Sequence, residues 1–112
     1  MIKSISLLTR KPEMTAAAFR KVWLEEHAPM VRSVPGVRRY TLSFPLSEPT
    51  RPDVPTLGVA GAIDAIAELW YDDRATQQKV AASPEMKQVT DNGALYLGAI
   101  KTYISEEIEI IA

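Results

Sequence analysis

The apolar residues change period along this chain, and the order of those changes restricts the fold more than any single motif. Residues 2–9 alternate, with Ile5 and Leu7 on one face and Ile2 and Leu8 on the other, the pattern of a strand covered on both sides. Lys11-Pro12-Glu13 breaks it. Thr15 is placed to cap a helix over residues 15–32, in which Phe19, Val22, Trp23, His27 and Met30 recur at helical spacing and Pro29 predicts a bend. Past the Pro35-Gly36 turn, residues 37–44 alternate again, with Arg38, Tyr40, Leu42 and Phe44 set against Val37, Arg39, Thr41 and Ser43. A third strand over residues 64–71 sets Ala65, Ala67, Leu69 and Tyr71 against Ile66, Glu68 and Trp70. Asp72 or Asp73 then caps a helix over residues 74–82, Ser83-Pro84 starts a further turn over 85–90, and Asn92-Gly93 reads as its stop. Residues 94–105 form the fourth strand. The tail, 106–112, alternates acid and isoleucine and can add an edge or swapped strand. The order is β-α-β-β-α-β, two split βαβ units, which is the ferredoxin-like α+β fold.

In 112 residues this is one domain. Its two helices cover one sheet face, and nothing in the chain is left over for the other. Ile66, Trp70 and their neighbours would stand there as an apolar surface, with Trp70 read as an interface residue. Two copies packed through that face would bury it, in a homodimer with an interface on the order of 1,600 Å².

Charge and composition narrow the chemistry. Thirteen Lys and Arg against fourteen Asp and Glu leave a formal charge of −1, which argues against a nucleic-acid partner. The absence of cysteine excludes a disulfide scaffold, a thiolate zinc site and a cysteine nucleophile. One histidine cannot build a multi-histidine metal site, and no dinucleotide, P-loop or zinc-protease motif is present. The expectation is a protein without metal or cofactor. No apolar run is long enough to span a membrane, and residues 1–4 begin no secretory signal, so a cytoplasmic location is expected.

Few residues are left that can carry a reaction. His27 lies on the apolar stripe of the first helix. It is either a hydrogen-bonded core histidine or a proton carrier, kept neutral by burial beside Phe19 and Trp23. Tyr40 either packs within its strand or donates a hydrogen bond to a carbonyl or oxyanion. Glu68, on the face opposite Leu69, reads as half of a structural ion pair with Arg38 or Arg39. Residues 45–61 hold four prolines and two glycines between the second and third strands. Both ends lie near these residues, and Pro55, Leu57 and Val59 offer apolar surface. The segment is expected to be a flap over one mouth of a pocket, the alternative being a surface loop or an arm gripping a partner.

Three stretches together carry a family resemblance: Phe19-Arg20-Lys21-Val22-Trp23, His27-Ala28-Pro29, and Pro35-Gly36-Val37-Arg38-Arg39-Tyr40. They resemble the EthD-type family of dimeric α/β-barrel proteins, named for a protein encoded with an ether-degrading oxygenase system. Val54-Pro55, Ile63-Asp64-Ala65-Ile66, Glu68 and Trp70 are similar to the methylmuconolactone methylisomerases within it. The resemblance implies a pocket with His27 and Tyr40 as its catalytic pair and Phe19, Trp23, Leu42 and Leu69 as substrate-binding neighbours. In those isomerases the place of Leu69 holds a cysteine, so a true methylmuconolactone methylisomerase activity is not expected. The implied function is a small cofactor-independent enzyme, an isomerase or oxidoreductase, acting on a lactone or aromatic-derived acid in a degradation pathway. The alternative is a non-catalytic ligand-binding accessory protein of an oxidative system.

Overall fold

A computed structural model describes residues 1–58 and 62–112. Four strands, β1 (Ile2–Arg10), β2 (Arg39–Ser43), β3 (Ala65–Tyr71) and β4 (Leu97–Glu106), form one antiparallel sheet in the order β2-β3-β1-β4. The helices are α1 (Ala16–Val22), α2 (Ala28–Met30), α3 (Arg74–Ala81) and α4 (Pro84–Ala94). This is the ferredoxin-like arrangement. Among the described residues no helix is long and apolar enough to cross a membrane.

Capping sets the helix starts. The Thr15 hydroxyl accepts from the Ala18 N–H at 3.1 Å, the Asp73 carboxylate from Thr76 at 2.7 Å, and the Ser83 hydroxyl from Met86 at 3.2 Å. The bend expected at Pro29 is instead a π-helical turn, Trp23–His27, just ahead of it, in which the Ala28 N–H bonds the Trp23 carbonyl. Proline supplies no N–H and its ring crowds the preceding turn, so the helix widens before it rather than breaking. A 3-10 turn, Val31–Ser33, ends the segment.

Asn92-Gly93 does not stop a helix. α4 runs through both to Ala94, and β4 therefore starts at Leu97 rather than 94. Gly93 serves close packing: a Cβ there would lie 3.1 Å from His27 Cε1 and 3.3 Å from Trp23 Cη2.

Leu8, Phe19, Trp23, Ala65 and Ala67 form one core cluster between helices and sheet, and Val31, Val34, Tyr71, Val80 and Val89 form a second. The opposite sheet face is more polar than expected. Trp70 is 7% exposed, because Lys3 and Arg39 lie over its ring at 5.1 and 4.7 Å and its Nε1–H donates to Glu107. Glu68 pairs with Lys3 at 2.8 Å, its cross-strand diagonal, while Arg38 reaches Asp72 instead. Beyond Glu107 the tail forms no strand with its own chain, and Ile108, Ile110 and Ile111 are exposed.

Candidate functional site

Side-chain alternation decides what lies beneath the helices. Ser4, Ser6 and Leu8 on β1, Ala67, Leu69 and Tyr71 on β3, and Thr102 on β4 all face the helical layer. Small residues at Ser4, Ser6 and Ala67 leave the layer unfilled, and a cavity of about 600 Å³ remains. Trp23, His27 and Val31 form one wall, and Val89 and Gly93 of α4 form another. Ile100 and Ile104, more than a third exposed, mark where it opens along β4.

His27 sits at the junction of these walls. Its ring stacks on Trp23 with 3.8 Å between centroids, and Trp23 in turn stacks on Phe19 at 5.1 Å. Its Nδ1–H donates to Asn92 Oδ1 at 2.9 Å. Nε2 makes no hydrogen bond among the described residues, yet it is not sealed from the cavity that His27 lines. Burial lowers the imidazole below its ordinary pKa, against smaller opposing effects of the Asn92 bond and the Glu26 charge. The ring is therefore neutral at pH 7, with the proton on Nδ1 and a lone pair on Nε2.

Tyr40 lines the same cavity from β2. Burial pushes its phenol up to about 12, so it remains a donor throughout the neutral range. Trp23 pulls the phenol slightly the other way, although its own buried Nε1–H completes no hydrogen bond among the described residues. Tyr71, also on the cavity, is raised by burial too, with Ser4 opposing. The Ser6 and Thr102 hydroxyls bond each other at 2.8 Å on the floor. The arrangement combines one neutral base, two phenolic donors and apolar walls.

Of the residues singled out in the sequence, His27, Tyr40, Trp23 and Leu69 line the cavity. Phe19 and Leu42 do not. Phe19, 1% exposed, is packed behind Trp23 one helical turn away, and Leu42 packs beside it on the core cluster. Tyr71 and Asn92 were missed. Tyr71 shares its strand face with Leu69 and was open to the same reasoning; Asn92 is brought to His27 only by the packing of α4.

Residues 45–58 are exposed throughout, Leu46 at 97% and Leu57 at 86%, and none lines the cavity. Within one chain they do not close it. Val59 of the expected flap lies outside the described residues.

Fold and cavity together define a ferredoxin-like domain with a single-histidine apolar pocket. The profile of the EthD domain matches residues 11–96, and the chain belongs to the EthD family. It is similar to a 4-carboxymethyl-4-methylbutenolide mutase of Pseudomonas reinekei, 32% identical over 108 residues, covering 96% of this chain and 99% of that one. A crystal structure of an ethyl tert-butyl ether D (EthD) family protein from Bacillus halodurans superposes with a TM-score of 0.78 at 25% identity, over 96% of this chain and 99% of the other. A protein from Thermobifida fusca described as dimeric and ferredoxin-like has a TM-score of 0.67 at 13% identity, over 93% and 88% of the two chains.

Proposed function

We propose that this protein is a cofactor-independent enzyme acting on a small carbonyl compound, a lactone or aromatic-derived acid, in a degradation pathway. His27 Nε2 takes and returns a proton beside the carbonyl, and Tyr40 donates to the carbonyl oxygen as negative charge develops there. The observation that carries this reading is a neutral imidazole, oriented by Asn92, with a free lone pair toward a cavity into which Tyr40 and Tyr71 bring phenolic donors. The P. reinekei relative, a mutase of a carboxymethyl-substituted butenolide, supports the substrate class. Leu69 carries no proton, so the reaction on this reading runs through one base and one donor.

The test is deuterium exchange. In D₂O, wild-type protein should exchange the α-CH₂ protons beside the ring carbonyl of a saturated lactone carrying a carboxymethyl arm, because the 4-methylbutenolide has only a vinylic C–H at that carbon. His27→Gln should lower the rate by roughly 10²–10⁴-fold. The apolar Leu69 side chain favours a second reading, a ligand-binding accessory protein. Lactone binding with neither exchange nor turnover would select it.

The reading includes a homodimer through the open sheet face. The chain exposes 7813 Å², against about 6,100 Å² for a compact monomer of its mass. The excess fits an extended segment 45–58 and tail that pack against a partner. The T. fusca relative is described as dimeric.

A further inference from the structure

The cavity that holds His27 contains no Lys, Arg, Asp or Glu among its lining residues. An acidic substrate placed wholly inside it would bury its carboxylate without a counter-charge, which is strongly unfavourable. The cationic side chains lie just beyond one wall. On the far side of Val31 and Tyr40, which line both spaces, is a groove of about 440 Å³. Leu24, Pro29, Val34 and Val37 make it apolar, and Arg32, Arg38 and Arg39 supply its charge, with no carboxylate in its walls.

The three arginines are not equivalent. Arg38 is tied to Asp72 by two hydrogen bonds, at 3.0 and 2.7 Å. Arg39 lies over the Trp70 ring on the open sheet face. Arg32 follows the helix that carries His27 and makes no ion pair or side-chain hydrogen bond among the described residues. A guanidinium fork without a carboxylate, beside an apolar trough that shares Tyr40 with the proton-transfer cavity, has the form of a carboxylate subsite.

We propose that this groove binds the carboxylate of the substrate through Arg32, with Arg38 beside it, while the carbonyl-bearing end passes Tyr40 toward His27. The ligand class is a small carboxylic acid with an uncharged carbonyl-bearing ring. The inference rests on the reading of the His27 cavity given above and adds to it the determinant of specificity.

Titration calorimetry with 4-carboxymethyl-4-methylbutenolide and with its methyl ester tests it. Wild type should bind the acid at least tenfold tighter than the ester, and added salt should narrow the gap. Arg32→Gln should remove most of that preference and leave ester affinity and thermal midpoint unchanged. His27→Gln should keep the preference while losing proton exchange. Equal affinity for acid and ester in wild type, or a preference that survives in an Arg32→Gln/Arg38→Gln double variant, overturns the proposal. If wild type binds neither lactone, the substrate reading fails and the groove is judged separately. Phenylacetate, and not phenylacetamide, should then shift the Arg32 Nε–Hε resonance, and no shift overturns the groove as well.

Discussion

The Nδ1–H of His27 donates to Asn92 Oδ1 at 2.9 Å, joining two residues 65 positions apart in the chain. The bond settles which ring nitrogen keeps the proton, and so which one faces the cavity. It also partly offsets the effect of burial on the imidazole.

Asn92→Ala should therefore push the His27 pKa further below its ordinary value and free the ring to turn. Proton exchange on a lactone substrate should fall on the order of 10–100-fold, the cost of a misplaced catalytic group. His27 is the only histidine, so a single imidazole resonance followed against pH reads the first effect. An unchanged titration would mean the bond does not form in solution.

Gly93→Ala should disturb the same ring by contact. The added methyl would stand 3.1 Å from His27 Cε1 and 3.3 Å from Trp23 Cη2, with the α4 backbone fixed behind it. Overpacking of this kind costs about 1–3 kcal/mol, and the better helix propensity of alanine returns up to about 1. Urea denaturation should show a net loss, and the His27 resonance should shift.

Acid should weaken the fold through His27. Its folded pKa lies below the ordinary 6.5, so the unfolded chain binds more protons between the two values. The contribution to stability is complete above 6.5 and is lost as pH falls toward the folded pKa. The thermal midpoint should drop on going from neutral pH into that window, and His27→Gln should flatten the drop. A wild-type midpoint constant across the window would contradict the direction of the shift.

Phe19→Ala tests the difference between a core residue and a pocket wall. Phe19 is 1% exposed and supports Trp23 from behind. The substitution should cost about 3–5 kcal/mol by denaturant titration. Among ligands of different shape, the order of affinities should be retained, because the ring does not meet the ligand.

The open sheet face and the segment 45–58 predict self-association. Sedimentation equilibrium at micromolar concentration should give a dimer. Replacing the segment by a tight turn should weaken association while leaving the sheet intact, since every residue in it is exposed in the single chain. A wild-type monomer would remove the assembly reading.

Much of the site was legible in one dimension. The helical stripe through Phe19, Trp23 and His27 and the alternation through Tyr40, Leu42 and Phe44 group these residues on one side of each element, because side-chain direction follows from backbone period, and the family resemblance turned the two sides toward each other. That reasoning stops at the side. Phe19 and Leu42 share it with His27 and Tyr40, yet lie against the core cluster, and position along the element separates them. Glu68 shows the same limit: its face was readable, but its partner is Lys3 of the neighbouring strand β1 rather than Arg38 or Arg39.

The sequence by itself determined the order of the elements, the caps Thr15 and Ser83 with a third at Asp72 or Asp73, and the ferredoxin-like topology, all of which follow from local sterics and the period of apolar residues; the family resemblance implied the pocket that His27 and Tyr40 share. Only the tertiary structure decided that Asn92 orients His27, that Gly93 is a contact rather than a helix stop, and that Trp70 is covered by Lys3 and Arg39. It also brought Arg32 next to the cavity. These depend on distances between elements far apart in the chain, set by how closely α4 and the helical segment after β1 can pack on one sheet, and no local pattern encodes that spacing.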